Sequence, residues 1–331
     1  MIRVIARELV SSPVPFTPLP KALVKTAINY RGQRRALIRE QFFRLAGLFT
    51  PVLLAEQDGL RFFVRTDDQG VGRLTFADMS LERTTLDNAL GCLRALGTEQ
   101  QALESGWFVD IGANIGTTSI TAAVTHRMAG AICIEALPAN CDFLEQNAVA
   151  NGVGDRIRCL RVALSERPGE VEFEQASDNW GDGRVRVAGD AHGDDAYGEG
   201  SRALLRVPAT TFDTLVERGD VDLSRTAVVW IDAQGHEGQI LSGAASLLAS
   251  DVAVVTEFWP YGLRRAEGLD RFLELVTSGF GSFIDLGTLD DPSRPAPRPI
   301  AEIGELPDRY EGVEFTDLLL LSAGLRSVTD A

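Results

Sequence analysis

The chain has 331 residues, of which 45% are hydrophobic and 24% are charged. This is the composition of a folded globular protein, and it excludes a mostly disordered chain, a collagen and a coiled-coil rod. The formal net charge of −15 is unevenly spread, because residues 1–50 carry nine Lys or Arg and two Glu. That segment is therefore +7 and the remainder is −22 (−15 minus +7). Since an acidic body repels nucleic acid, we expect no nucleic-acid partner. The basic segment could bind an anionic partner or a membrane, or pack on its own acidic body.

The N-terminal segment and the cysteines bear on where the protein acts. Four prolines interrupt residues 1–30, which leaves no apolar core of the length that a signal peptide needs. No run of 18 apolar residues occurs, so we expect no membrane-spanning segment. The four cysteines form no CxxC pair and no metal-finger spacing with histidine, which favours reduced thiols. Together these features predict a cytoplasmic protein.

Residues 1–80 are predicted to form an accessory region. Apolar residues at steps of three and four, or their multiples, predict a helix over residues 21–48 that is rich in basic side chains. A β-hairpin is predicted to follow, with strands over residues 51–56 and 60–65. The Asp-Gly pair between these strands is a strong hairpin signal, because both residues tolerate a positive φ angle.

Residues 81–331 are predicted to form one main domain. Short apolar strands alternate with helical stretches, which is typical of a parallel sheet covered on both faces. The last two strands are joined by a proline-rich stretch, which favours an antiparallel final strand. A segment with six glycines, residues 177–200, is interpreted either as a lid or as a simple insertion. Strands are predicted over 107–111, 131–135, 157–164, 227–232, 251–258, 281–286 and 316–323, and helices over 83–96, 117–127, 138–151, 211–218, 236–249 and 268–278.

The most informative motif is VDIGANIG, residues 109–116, which follows a predicted strand and opens a helix. Gly112 allows a tight turn with its backbone exposed to a ligand, and Gly116 lets the helix start close to the strand. The free N–H groups and the positive dipole end of the helix suit an anion such as a carboxylate. Asp110 would accept a hydrogen bond from an ammonium group. A plain strand–turn–helix without a ligand is the alternative.

An acid, Glu135, ends the next predicted strand, 25 residues after Asp110. Ligands of open α/β sheets bind outside the carboxyl ends of the strands, where an acid can accept both hydroxyls of an unphosphorylated ribose. Asn140 follows shortly and could cap a helix or reach the ligand. A surface acid at a strand end is the alternative interpretation.

Two cofactors compete for this pattern: a dinucleotide and S-adenosylmethionine. The dinucleotide fingerprint needs a glycine at the position of Asn114, where the pyrophosphate approaches, and Asp110 would face the phosphates unfavourably. S-adenosylmethionine carries an ammonium, a carboxylate and a ribose with free hydroxyls, which match Asp110, the helix start and Glu135. An NAD-dependent oxidoreductase and a non-catalytic cofactor-binding protein are the alternative functions.

The sequence resembles the FkbM-type S-adenosylmethionine-dependent methyltransferases. The resemblance implies an α/β, class I methyltransferase fold, which is a Rossmann-like, doubly wound, seven-stranded sheet with an antiparallel last strand. It also implies S-adenosylmethionine as methyl donor and, most often, transfer to a hydroxyl oxygen of a sugar, glycolipid or secondary metabolite. The matching stretches are VDIGANIG (109–116), IEALPAN (134–140), FLEQNAVANGV (143–153), VALSERPGEVEF (162–173), TFDTL (211–215) and WIDAQGHEGQILSGA (230–244).

The resemblance also implies roles for single residues. Gln234 stands where many family members have Glu, and Trp230 where Lys is frequent; we interpret position 234 as structural, because Gln keeps the hydrogen bonding. By position, the methionine end would be lined by Asp110, Gly112, Asn114 and Gly116. Glu135 would hold the ribose, and Asp232 would lie beside the sulfonium and the acceptor. The adenine would be bordered by Ala163, Leu164 and Ser165. With Ala113, Thr117 and Asn140 these residues form the candidate cofactor-binding set.

Transfer to an alcohol needs a base that takes the proton of the acceptor. The candidate catalytic residues are Asp232, His236 and Glu257, and the pKa of about 6.5 that is usual for histidine suits a base at neutral pH. His236 could instead cap the helix that follows it, and Glu237 is interpreted as complementing that helix N-terminus. The three candidates could alternatively ligate a divalent metal, which is not favoured.

The acceptor is predicted to be a small molecule or a glycan, and the chain could form an oligomer. The accessory region and residues 177–200 would shape the acceptor pocket. Trp259 and Tyr261 are interpreted as an apolar wall of that pocket or as plain core.

Overall fold

A computed structural model of the chain describes residues 35–78, 80–186 and 202–324. The start of the predicted basic helix, residues 21–34, and most of the glycine-rich segment, residues 187–200, lie outside the described residues. In the described part, no helix combines the length and the apolar character that crossing a membrane requires.

Strands and helices alternate along most of the described chain. The strands are β1 (Val52–Gln57), β2 (Leu60–Arg65), β3 (Trp107–Ile111), β4 (Gly130–Glu135), β5 (Ile157–Arg161), β6 (Ala163–Leu164), β7 (Gly169–Gln175), β8 (Arg184–Val185), β9 (Ala203–Thr210), β10 (Thr226–Ile231), β11 (Ala253–Phe258), β12 (Ser282–Asp285), β13 (Arg298–Pro299) and β14 (Thr316–Leu321). The helices are α1 (35–46), α2 (Val71–Ala77), α3 (Ser80–Ala95), α4 (Gln100–Ser105), α5 (Thr117–Val124), α6 (Pro138–Ala150), α7 (Phe212–Glu217), α8 (Glu237–Ser242), α9 (Ala245–Leu248), α10 (Pro260–Arg265), α11 (Leu269–Gly279) and α12 (Leu306–Arg309).

The central sheet has the strand order β13-β12-β14-β11-β10-β3-β4-β5. Strands β5, β4, β3, β10 and β11 pair in parallel, and β14 runs antiparallel to both β11 and β12. This confirms the doubly wound sheet with an antiparallel last strand. The two-residue strand β13 adds an eighth, edge member to the seven that were predicted. Its brevity follows from the prolines around it, which have no N–H to donate to a neighbouring strand.

The predicted strand 157–164 was wrong as one element. Strand β5 ends at Arg161, and Val162 N–H donates to the Glu135 carbonyl over 3.0 Å. The next residues form β6, which leaves the central sheet and pairs with β9. A second sheet of order β6-β9-β7-β8 results. Strands β7 and β9 were not predicted: β7 has charged residues between its apolar ones, and β9, although largely apolar, is interrupted by Pro208.

The core lies on both faces of the central sheet. Successive residues of β3 point to opposite sides, so that Val109 joins one buried apolar cluster and Phe108 joins the other. Helices α7, α8 and α11 contribute to the first cluster, whereas α3 and α5 contribute to the second. All four cysteines are free thiols. The carboxyl ends of β3, β4, β10 and β11 meet at one edge of this sheet.

The predicted hairpin is confirmed as β1 and β2, with Asp58 and Gly59 at φ angles of 52° and 83°. It packs against α6, where the Asn147 side chain accepts from Phe63 N–H over 2.7 Å and donates to the Phe63 carbonyl over 3.3 Å. Asn151 makes the same pair of bonds to Arg61. Two amide side chains thus take the place of a neighbouring strand and fix the hairpin to the main domain.

Candidate active site

Two cavities meet at the carboxyl edge of the central sheet. The smaller holds about 550 Å³ and the larger about 1510 Å³ of free space, including space that is open to solvent. The cavities share five lining residues: Gly112, Asn114, Gly181, Asp232 and Gln234. One bent ligand, or two ligands in contact, could therefore occupy them together.

The loop after β3 forms the boundary between the cavities. Gly112 has a φ angle of +86°, and a Cβ there would lie 1.8 Å from the Asp232 carbonyl oxygen. Only glycine fits this position, because any side chain would collide with the backbone that follows β10. Asn114 also has a positive φ angle, 50°, and Gly116 caps α5 at 85°. The motif therefore builds a tight turn that lays its backbone open to the cavities.

Glu135 joins this loop to the end of β4. Its buried carboxylate accepts from Asn114 N–H over 2.9 Å, Leu137 N–H over 2.8 Å and Asn140 Nδ2 over 3.3 Å. Burial raises the pKa of Glu135, whereas these three hydrogen bonds lower it. The carboxylate is thus held rigidly at the wall of the smaller cavity.

The smaller cavity brings together most of the residues that were predicted to hold the adenosine. Ala163 and Leu164 on β6 line it beside an apolar wall from Leu137, Phe173 and Val185. Two of the predicted cofactor-binding residues, Gly116 and Ser165, line neither cavity. The predicted residues that line the smaller cavity are Gly112, Asn114, Glu135, Asn140, Ala163, Leu164, Asp232 and His236.

His236 lies on the smaller-cavity side. Its Nε2 is 3.0 Å from Ser165 Oγ, and within the described chain its buried Nδ1 has no hydrogen-bond partner. Burial lowers the pKa of His236 to about 4, so the imidazole is neutral at neutral pH. It does not line the larger cavity with Asp232 and Glu257, the residues with which the sequence analysis grouped it. Among the described residues, no three His, Cys, Asp or Glu side chains form a group that could hold a metal ion.

The larger cavity holds the other predicted residues, namely Asp110, Ala113, Thr117 and Glu257, together with Asp232. The Asp110 carboxylate accepts from Ser119 Oγ. Trp259 also lines this cavity, and Tyr261 packs on it with the ring centroids 5.3 Å apart. The accessory region contributes Gly70, Val71 and Leu74, and the start of the glycine-rich segment contributes Asn179, Gly181 and Asp182.

Three carboxyl groups cluster where β10 and β11 end: Glu237 and Glu257 are buried, and Asp232 is half-buried. Gln234 Nε2 donates to Asp232 Oδ1 over 2.8 Å and to Glu257 Oε2 over 3.3 Å. Burial, followed by the negative charges of Asp232 and Glu237, raises the pKa of Glu257 well above its ordinary value. A raised pKa makes the Glu257 carboxylate a stronger base, which can accept a proton at a pH where it has lost its own.

Glu237 is the third member of this carboxyl cluster. It accepts from Ala233 N–H over 2.9 Å and from Gly235 N–H over 3.3 Å, and so ties the loop after β10 to the start of α8. Burial raises the pKa of Glu237 to about 7, with a smaller contribution in the same direction from Asp232. This position supports the loop and faces neither cavity.

Asp68 is a site-forming residue that the sequence analysis missed. Its buried carboxylate accepts from Gly70 N–H over 3.0 Å, Gly72 N–H over 2.8 Å and Trp180 N–H over 3.2 Å. It thereby ties the accessory region to the glycine-rich segment at the cavity wall. Burial raises the pKa of Asp68, and the three bonds oppose that shift. An acid followed by two closely spaced glycines was the available sequence signal.

The parallel sheet, its antiparallel β14, the glycine loop and the acid that ends β4 define a class I methyltransferase fold. A family model described as the methyltransferase FkbM domain matches residues 110–276, half of the chain. The chain belongs to this family. The family model thus confirms the resemblance to FkbM-type methyltransferases that the sequence motifs indicated.

Among proteins of described function, the chain is similar to the hexuronic acid methyltransferase AglP of Haloferax volcanii. The two are 29% identical over 158 residues, which is 48% of this chain and 58% of AglP. The match thus spans little more than half the length of that relative.

Solved structures that are similar to this chain include the methyltransferase FkbM from Methylobacillus flagellatus KT, with 15% identity and a TM-score of 0.38. That alignment covers 66% of this chain and 44% of the other. Another is an RNA methyltransferase from Salinibacter ruber in complex with S-adenosyl-L-homocysteine, with 16% identity and a TM-score of 0.27. It covers 51% of this chain and 72% of that protein.

Proposed function

We propose that the chain transfers a methyl group from S-adenosylmethionine to an oxygen atom of a sugar or another small polyhydroxyl acceptor. The single observation that carries this proposal is the pair of joined cavities. The smaller cavity has Glu135 at its wall, an acid at the position where ribose hydroxyls would bind, and the larger cavity has a candidate base, Glu257. The residues that the cavities share, Asp232 and Gln234 among them, lie where donor and acceptor would meet.

The residues present fit S-adenosylmethionine. Glu135 offers a fixed carboxylate for the two ribose hydroxyls, and β6 offers an apolar edge for the adenine. Two polar atoms at the smaller cavity, Asn114 Oδ1 and His236 Nδ1, are buried without a partner in the described chain, and a polar ligand would satisfy them. Across the boundary, Asp110 and the start of α5 suit the ammonium and the carboxylate of a methionine tail.

When bound, S-adenosylmethionine supplies an activated methyl group on a sulfonium, so that transfer depends mainly on how the acceptor oxygen is oriented. Glu257 is assigned as the base that takes the acceptor proton at its carboxylate. Asp232 and Gln234 orient Glu257, and the walls of the larger cavity hold the acceptor against it. His236, which was a candidate base, is assigned a role in binding the adenosine, because it lies with Ser165 on that side.

The larger cavity supports an acceptor that carries several hydroxyl groups. Trp230 and Trp259 contribute apolar ring surface to its wall, and Asn179 and Asp317 contribute polar groups beside them. This mixture is suited to a sugar ring, which has apolar faces and a polar edge. That AglP is named for a hexuronic acid supports an acceptor of the same general kind.

The proposal is tested by incubating the purified chain with methyl-labelled S-adenosylmethionine and a panel of neutral sugars, uronic acids and polyphenols. Label transferred to an oxygen of one acceptor class, and lost in Glu257→Gln, is the expected result. Tight cofactor binding without transfer to any acceptor would favour a non-catalytic cofactor-binding protein. Reduction of NAD by an added alcohol would favour the oxidoreductase alternative.

A further inference from the structure

Helix α1 presents an apolar face to solvent. Ile38, Phe42 and Leu45 follow each other at steps of four and three residues, and Phe49 continues the row in the turn after the helix. Such a row lies on one side of a helix, because 3.6 residues make one turn. The large apolar side chains of this row and its flanks are all more than half exposed: Leu37 58%, Ile38 68%, Phe42 55%, Leu45 61%, Leu48 75% and Phe49 87%. We call these six residues the α1 stripe.

The opposite face of α1 already has its partners. Phe43 is fully buried and packs against Phe76, with the ring centroids 5.7 Å apart. Arg39 Nε donates to the Phe76 carbonyl over 2.6 Å, and Glu40 pairs with Arg73 over 2.8 Å. Among the described residues, the helix is therefore fixed to the body mainly by this side, and the side chains of the α1 stripe stay more than half exposed. Contiguous exposed apolar patches of this kind mark interaction surfaces.

The charge of the sequence that contains the α1 stripe favours one kind of partner. Residues 1–50 carry nine basic and two acidic side chains, whereas the rest of the chain is strongly acidic. Arg35 is exposed, and Arg44, also exposed, is paired with Glu40 at 3.0 Å. An apolar helix face flanked by basic residues is the pattern of a helix that lies in the interface of an anionic lipid bilayer. A second copy of the chain fits less well, because it would bring two segments of charge +7 together.

The α1 stripe is also continuous with the site. Phe42 stacks on Phe76 of α2 with 6.0 Å between ring centroids, and Val71 and Leu74 of the same short helix line the larger cavity. Phe315, another lining residue of that cavity, is 60% exposed. We propose that the α1 stripe docks the protein on the surface of an anionic phospholipid membrane, as a peripheral contact that leaves the site on the protein side.

The test is co-sedimentation of the full chain with vesicles, using phosphatidylglycerol mixed with phosphatidylcholine and phosphatidylcholine alone. The stripe variant is Ile38→Ser/Leu45→Ser/Phe49→Ser. The matched control is Val149→Ser/Leu204→Ser/Val313→Ser, which alters three exposed apolar residues elsewhere, at 72%, 47% and 52% exposure. Thermal unfolding and S-adenosylhomocysteine binding report whether each variant is folded, and light scattering reports its mass.

We expect the wild type and the control to bind the anionic vesicles, with binding that weakens as salt is raised. The stripe variant is expected to bind at least tenfold more weakly with its fold and mass unchanged. Three results would overturn the proposal. The wild type does not bind anionic vesicles, or the stripe variant binds them as well as the wild type does. The third is that the wild type is a dimer in solution and the stripe variant is a monomer. If the wild type does not bind vesicles and the stripe variant is less stable than the wild type, the occupant of the stripe is residues 1–34 of the chain itself and not a membrane. Because vesicle binding needs no methyl transfer, its failure and that of the proposed function are separate results.

Discussion

The carboxylate of Glu135 accepts a hydrogen bond from the backbone N–H of Asn114 over 2.9 Å. This bond connects the loop after β3 to the end of β4, two segments that are 21 residues apart in the chain. It fixes the two halves of the proposed cofactor site relative to each other. Loss of the acid would therefore remove a ligand-binding group and also loosen the turn that faces it.

Replacing Glu135 by Ala should weaken the binding of S-adenosylhomocysteine by more than about 1 kcal/mol, since hydrogen bonds to charged groups contribute roughly 1.5–3 kcal/mol. Glu135→Gln should lose less, because its amide oxygen can still accept from one backbone N–H. Isothermal titration calorimetry measures both, with the exposed Glu145→Gln on α6 as control. Equal affinity of Glu135→Ala and the control would remove Glu135 from the site.

Gly112→Ala should abolish cofactor binding and destabilise the fold. The positive φ angle alone is unfavourable for Ala by about 1–2 kcal/mol, and the added Cβ would collide with the Asp232 carbonyl oxygen at 1.8 Å. Gly152→Ala is the matched control, since Gly152 has a φ angle of +70° with nothing within 4 Å. Urea unfolding of the two variants separates the collision from the backbone strain. Equal losses of stability would mean that the collision is relieved by movement of the loop.

Glu257→Gln should reduce kcat by a factor of about 10²–10⁴, the usual contribution of a general base, and should leave cofactor affinity unchanged. The amide keeps the shape and the hydrogen bonding of the carboxyl group, but it cannot take a proton. Single-turnover methyl transfer with the exposed Glu311→Gln as control provides the measurement. If kcat is retained in Glu257→Gln, the base is another group.

Gln234→Glu should move the acidic limb of the pH–rate profile to higher pH. The change removes the amide donor that Asp232 and Glu257 share and adds a negative charge beside them, and both effects raise the pKa of Glu257 further. The base form would then appear only at higher pH. The exposed Gln101→Glu, which adds the same charge far from the cluster, should leave the profile unchanged. A limb that moves to lower pH, or not at all, would contradict the assignment of Glu257.

Glu237→Gln should change how stability depends on pH. Burial raises the pKa of Glu237 to about 7, above the value of 4.5 that it has when exposed. Between these two pH values the folded chain binds more protons than the unfolded chain, so the ionisation of Glu237 lowers the stability as pH rises. The variant lacks this loss, and its stability relative to wild type should rise by roughly 1–3 kcal/mol from pH 4.5 to 7.5. Urea unfolding at several pH values tests this, with the exposed Glu217→Gln as control.

Local signals in the sequence predicted much of the fold. The Asp-Gly pair of the hairpin and the glycines after β3 were informative because backbone conformation at those positions is decided by the residue itself. The alternation of apolar runs and helices predicted the central sheet because its inner strands, such as β4 and β11, are buried along their whole length. The second sheet contains short or partly exposed strands, and their pairing is decided by neighbours that lie far along the chain.

The site was predictable only in part for a related reason. Residues of the VDIGANIG motif and Glu135 could be placed because strand ends of a parallel sheet meet at one edge. Asp68 and Trp180 are 112 residues apart, and only the folded chain brings them together. The row of apolar residues in α1 predicted its helix, but the sequence did not indicate that Phe43 would face the body and the row would face solvent.

The decisive measurement is a crystal structure of the chain with S-adenosylhomocysteine. We expect the ribose hydroxyls on Glu135, the adenine along Ala163 and Leu164, and the sulfur facing Asp232 at the junction of the two cavities. A ligand bound elsewhere, or with its ribose turned away from Glu135, would contradict this expectation.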